Sequence, residues 1–226
     1  MSQGVRDGGS GSGSGGKGGL RERKKQLTYQ AVSEAAIAMF LERGFDKVSV
    51  AEVAAAADIS KPTLFRYFPA KEDLVLHRFA DHEDEAARVV AGRPDGVSPL
   101  DALRRHFLEG LDRHDPVTGL CDNPHVLAFH RLLYGTPSLV ARLYGYQGRS
   151  EAALARALDP GGPVAARLAA GQIIAVLRIL AMENWRRVDA GESAGEVHGD
   201  AVAAAGLAFA QLRDGLVIAA PGGAVR

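Results

Sequence analysis

The chain has 226 residues, 46% of them hydrophobic, a formal net charge of zero and one cysteine, Cys121. That length suffices for one large domain, or a small one joined to a larger one. A lone cysteine excludes an internal disulfide and a multi-cysteine zinc site, and no apolar core follows the basic N-terminal residues as a secretory signal would require, so the composition predicts a cytoplasmic protein. The apolar stretch from Ile173 to Met182 is interrupted by Arg178, so no bilayer-spanning segment and no membrane partner are expected.

Charge is distributed unevenly. Residues 1–71 hold eleven Lys and Arg against seven Asp and Glu, and residues 72–226 hold sixteen against twenty. A basic first third suits an anionic partner. Residues 1–19 are mostly Gly and Ser with Arg6 and Lys17, a composition that predicts a flexible arm. The cluster Arg21, Arg23, Lys24 and Lys25 follows, placed to reach a phosphate backbone or a minor groove.

A helical period begins there, with Val32, Ala35, Ala36, Met39 and Phe40 on one face and Gly44 as its terminator. Ser49 to Glu52 reads as a capping box flanked by Val48 and Val53 as a hydrophobic staple, opening a short helix to about Ala57. Asp58-Ile59-Ser60 turns the chain, Ser60 caps a third helix with Pro62 in its first turn, and Phe68-Pro69 closes it. Two short helices joined by a tight turn make a helix-turn-helix.

At 100° per residue, Leu64, Phe65 and Phe68 fall on a packing side of that third helix, while Pro62, Thr63, Arg66 and Tyr67 face outward. Such a face can enter a major groove, with Lys61 and Lys71 holding the flanking phosphates. Spacing alone also fits an ordinary helical corner with a solvated polar face.

Further helical patterns run over 71–91, 99–114, 124–134, 137–158, 163–189 and 195–214, and no stretch reads as a strand. The predicted fold is all-α, divided into an arm (1–19), a three-helix DNA-binding domain (20–70) and a larger helical domain (71–226). The segments 163–189 and 195–214 are too apolar for one subunit's surface. With Ala169, Ala170, Gly171, Ala203, Ala204, Ala205 and Gly206 they predict a two-fold, four-helix homodimer interface.

The run Ala36 to Asp46, with Met39, Phe40, Gly44 and Phe45, then Ser49-Val50-Ala51-Glu52-Val53-Ala54, then Ile59 through Tyr67 to Leu74 resembles the N-terminal domain of the TetR family of transcriptional regulators. The resemblance covers about residues 21–75. It implies DNA contacts for Ser49, Ser60, Lys61, Pro62, Thr63, Tyr67 and Lys71, to which the helical wheel adds Arg66. It also implies a C-terminal ligand pocket and dimer interface. Asp58 stands where the family usually has a turn glycine, Phe65 where a tyrosine is common, and Ala70 where Ser or Asn usually precedes the lysine.

For the pocket, Phe107, Phe129, His130, Tyr134, Tyr144, Tyr146, Met182 and Trp185 form an aromatic set with polar tips, suited to a small apolar or amphipathic ligand but equally to a helical core. His77, Asp81 and Glu85 recur at metal-compatible spacing, which a solvated helix face explains more simply. His125 and His130 do not share a face, and Cys121 has no partner thiol. No nucleophile with a base and no phosphate loop is present, so neither an enzyme nor a cofactor is expected. The expected function is a dimeric regulator, a repressor released from a near-palindromic operator by a small ligand. The alternative is a regulator of the same fold controlled by a protein partner.

Overall fold

The structure is a computed structural model and describes residues 15–80, 82–159 and 164–215. Ten α-helices and one 3₁₀ turn make up its secondary structure, with no strand among the described residues. The first three helices, α1 (Gly15–Arg43), α2 (Val50–Ala56) and α3 (Lys61–Tyr67), are followed by α4 (Asp73–Ala80) and α5 (Glu85–Ala91). Then come α6 (Pro99–Asp112), a 3₁₀ turn (Pro116–Thr118), α7 (Pro124–Gly135), α8 (Pro137–Leu158), α9 (Val164–Asp189) and α10 (Ala194–Asp214).

Two boundaries and one hydropathy expectation differ from the sequence reading. Helix α1 starts at Gly15, inside the segment expected to be an arm; once its C-terminal half is packed, each added residue fixes one more backbone bond without a new nucleation cost. Residues 1–14 of that arm lie outside the described residues.

The single helix expected over 71–91 is broken between α4 and α5. The turn there is held from two other helices: Glu83 pairs with Arg149 of α8 at 2.8 Å and Glu85 with His106 of α6 at 2.8 Å. Those tertiary contacts override a period that runs on in the sequence. Helix α9 contains an 18-residue window of mean hydropathy 1.7, long and apolar enough to cross a bilayer by composition. One Arg178 does not offset so many Ala, Ile and Leu residues, so the interruption expected there is not one. The helix packs against α8 and α10.

Two buried clusters organise the packing. In the first, Val32, Ala36 and Phe40 of α1 meet Val53, Leu64, Phe68 and Leu74 to Leu76, closed by Phe129 and Leu133 of α7 and Leu139 of α8. Packing is therefore continuous across residue 70. The second joins Leu103, Phe107 and Leu111 of α6 to Leu154, Ile173, Leu180, Val197, Ala201 and Phe209. The 3₁₀ turn is locked against α9: buried Asn184 donates to the Thr118 carbonyl at 2.9 Å, and Gly119 has φ +73° with space for no Cβ, which would fall 1.9 Å from the Ala181 carbonyl oxygen. Only glycine combines that backbone conformation with so close an approach.

Candidate nucleic-acid interface and helical-domain cavity

Both helices of the helix-turn-helix are capped by the contacts their sequence signals. Ser49 donates its backbone N–H to Glu52 at 2.7 Å and accepts from the Glu52 N–H at 3.2 Å, which satisfies two donors at the helix start. The backbone hydrogen bond from Ser49, followed by that from Arg43, lowers the Glu52 carboxyl to about 2. Asp58 takes the left-handed turn conformation at φ +52°, which an aspartate visits more readily than most residues. Ser60 accepts from the Thr63 N–H at 3.2 Å, and the two hydroxyls bond each other at 2.8 Å.

On α3, Leu64 and Phe68 are buried against α1 and α2, whereas Ser60, Lys61, Pro62 and Arg66 are exposed and Thr63 is half-buried. Two positions depart from the helical wheel. Tyr67 is half-buried, its ring 4.8 Å from that of Tyr29 on α1, while Phe65, expected to pack, is 41% exposed with the Lys61 ammonium 5.9 Å from its ring. The covering helix is α1, and it lies over the Tyr67 edge of α3, so the buried stripe is rotated away from Phe65. Phe65 thus joins the exposed face; the family's usual tyrosine at this position was the available signal.

Lys71, expected to hold a phosphate, is half-buried and has contacts within the chain. Its ammonium donates to the Phe45 carbonyl and lies 4.3 Å from the Phe45 ring and 5.4 Å from that of Phe40. It ties the start of α4 to the end of α1. Ser49 is exposed beside this corner. Arg21, Arg23, Lys24 and Lys25 belong to α1, and Lys25 lies four residues, about 6 Å along the axis, from the Tyr29 that touches α3.

A cavity of about 220 Å³ opens among α4, α5, α6, α8 and α9, walled by Phe79, Leu103, Phe107, Leu143, Ile174 and Leu177 with the rings of Tyr134 and Tyr146. Of the expected ligand set, Phe107 and Tyr134 line it, as does Tyr146. Phe129, His130 and Trp185 form an aromatic wedge behind Tyr134, with Tyr134 and Trp185 centroids 4.7 Å apart and Phe129 stacked 6.0 Å from Phe79. Tyr144 is 60% exposed and Met182 half-buried, neither in the lining. Phe129 and His130 of α7 meet Phe79 of α4 and Trp185 of α9 instead, which a list of aromatics does not reveal.

The polar lining was not foreseen. Glu85 accepts from His82 at 2.7 Å and His106 at 2.8 Å through opposite oxygens. The hydrogen bond from His106 holds the Glu85 carboxyl well below its usual range, and the same bond raises the His106 imidazole. His77 stacks on Tyr29 at 5.2 Å, and the His77 and Glu85 of the metal-compatible spacing belong to different helices; Asp81 lies outside the described residues.

Residues 33–77 match the model of the family described as "Bacterial regulatory proteins, tetR family". Over 178 residues, 76% of this chain and 79% of the relative, the sequence is 28% identical to the HTH-type transcriptional regulator TcmR of Streptomyces glaucescens. The fold is similar to that of NalD from Pseudomonas aeruginosa, with a TM-score of 0.53 at 17% identity over 81% of this chain and 97% of NalD. It is similar also to SmeT, solved as a triclosan complex, with 0.52 at 15% over 83% and 90%. The capped helix-turn-helix of residues 50–67 lies inside the matched segment, so the chain carries an N-terminal segment of the TetR-family type, and the relatives it is similar to are named as transcriptional regulators.

Proposed function

We propose that this chain is a cytoplasmic, homodimeric repressor that reads a near-palindromic operator through α3 and leaves it when a small ligand fills the cavity. The observation that carries the reading is the exposed face of a rigidly capped α3, where Lys61, Pro62, Thr63, Phe65 and Arg66 stand together over a buried Leu64. A short helix anchored in this way can enter a major groove, where Arg66 can grip a guanine edge and the apolar groups can meet thymine methyls. Residues 20–70 would be the reader and 71–226 the regulatory and dimerising part. NalD, named the secondary repressor of the MexAB-OprM multidrug efflux pump, supports repression by likeness of fold.

The dimer is supported by apolar side chains left uncovered on α9 and α10, Val164, Leu168, Ile179 and Leu207. Ala203, Ala204 and Gly206 stand on the same open side of α10, and a Cβ at Gly206 or Gly171 would meet nothing within 4 Å. Ala170 and Ala205, which the sequence assigned to that seam, face the chain's own core instead. A two-fold axis through this face would set two α3 helices at the spacing of successive half-sites. Ligand control then requires that the ligand prefer the conformer with the wrong spacing, since equal affinity for both shifts nothing.

The test is selection of DNA fragments by the purified protein. A near-palindromic consensus is expected, with affinity reduced about tenfold or more by Arg66→Ala through loss of a base contact worth roughly 1–3 kcal/mol. Selection without sequence preference, or unchanged affinity of Arg66→Ala and Thr63→Ala at matched salt, would overturn the reading.

A further inference from the structure

We propose that the cavity takes an anionic amphipathic arene, a flat aromatic body carrying a carboxylate or phenolate, with the negative group held by Arg178 and the Tyr134 hydroxyl. This rests on the reading of the cavity as a ligand site.

The walls favour a flat apolar body. Phe79, Phe107, Tyr134 and Tyr146 present rings and Leu143 and Leu177 present aliphatic surface, against which an aromatic ligand gains both burial and ring contacts. The charges then select its sign. Three carboxylates line the cavity, and each is already engaged: Glu83 by Arg149 at 2.8 Å, Glu85 by His82 and His106, and Asp115 by the Val117 N–H at 3.0 Å with Arg113 at 3.9 Å.

Arg178 is the one lysine or arginine among the described lining residues, and it has no hydrogen bond or ion pair among the described residues. A neutral ligand that expelled water from the cavity would leave this half-buried guanidinium without a partner, whereas an anion supplies one. A cation would meet repulsion from Arg178 and find no unengaged carboxylate.

Tyr134 adds a second donor at the same end. Burial raises its phenol above the usual range while the Arg178 charge opposes the rise, so the hydroxyl keeps its proton at neutral pH and can donate. Tyr146 is likewise raised by burial. Gln147 and Ser150 on α8 offer neutral hydrogen-bonding groups along the lining, suited to substituents on the ring.

The test uses three isosteric fluorescent probes on the full chain: anthracene-2-carboxylate, its neutral carboxamide and the cationic aminomethyl analogue. Titration should give the carboxylate at least tenfold tighter binding than the carboxamide, with the cation weakest. Arg178→Gln should bring the carboxylate to the level of the carboxamide, and Arg178→Lys should retain most of the preference. Leu177→Trp, which fills the cavity, should weaken all three.

Equal binding of carboxylate and carboxamide to the wild-type protein, or a preference that survives Arg178→Gln, overturns the anion assignment and leaves the ligand site standing. Binding of none of the probes, or binding undiminished by Leu177→Trp, overturns both.

Discussion

Arg142 on α8 grips Asp73, the first residue of α4, through two hydrogen bonds of 2.9 Å, and the same carboxylate accepts the Ala70 N–H at 3.0 Å. Asp73 is buried, while Arg142 is about half exposed. The pair therefore fastens the helix that carries Leu143, Tyr146, Gln147 and Ser150 of the cavity lining to the segment just after α3. Bidentate geometry fixes orientation as well as distance.

Removing the arginine alone should be costly, because the buried carboxylate loses its charge partner. Arg142→Met is expected to lower unfolding free energy by about 1–2 kcal/mol, discounted for the exposure of the guanidinium. Asp73→Asn in the same background should add less than it does alone. Urea unfolding of the two single variants and the double variant checks this, and strict additivity would show that the two residues do not act as a pair.

Asp58 occupies the left-handed turn between α2 and α3 at φ +52°. Asp58→Gly should leave stability within about 0.5 kcal/mol, since relief of the backbone penalty is offset by a more flexible unfolded chain. Asp58→Val, β-branched and lacking the polar side chain, should cost about 1–2 kcal/mol. Thermal melts of both variants decide it; equal melting temperatures would mean that the turn is not held at positive φ.

His130 is 7% exposed, its Nδ1 has no hydrogen-bond partner among the described residues, and burial lowers the imidazole to about 4 from 6.5. Above pH 6.5 it is neutral in both states and has no effect on the pH dependence of stability. As pH falls from 6.5 toward 4, the unfolded chain takes up a proton that the folded one refuses, so stability drops, by at most roughly 3 kcal/mol.

His106 works in the opposite sense. Its raised value makes its contribution full below 6.5 and lost as pH rises through its folded value. Denaturant unfolding at pH 7.5 and 5.0 should show a shallower acid loss for His130→Phe than for wild type. Identical losses would remove His130 as the source.

Gly206 separates folding of the subunit from its association. Because a Cβ there meets nothing within 4 Å among the described residues, Gly206→Leu should leave the far-ultraviolet helical signal of the subunit intact. In a two-fold seam the same side chain overpacks, weakening the dimer by roughly 1–3 kcal/mol. Sedimentation across the micromolar range reads the difference, and a wild-type protein that sediments as a monomer would remove the proposed seam altogether.

The helix-turn-helix was written in the sequence because its determinants are local. The Ser49–Glu52 box, the Ser60 cap, the Pro62 first turn and the left-handed Asp58 all act between residues a few positions apart, where backbone geometry leaves little choice. The helices from 99 onward were legible for a related reason, since apolar period and Gly/Pro punctuation mark where a helix runs.

What the period cannot tell is which neighbour covers which side. Tyr67 rather than Phe65 is sheltered because Tyr29 of α1 lies over that edge, and Lys71 turns inward because the Phe45 carbonyl and two rings await it. The helix expected over 71–91 breaks because residues from α6 and α8 hold its middle. The aromatic set divides into cavity wall, wedge and exposed surface by the directions in which α7, α8 and α9 cross. Each of these outcomes joins residues many positions apart, so the tertiary structure alone decided them: contact across such distances is set by how the helices pack, and no spacing along the chain encodes it.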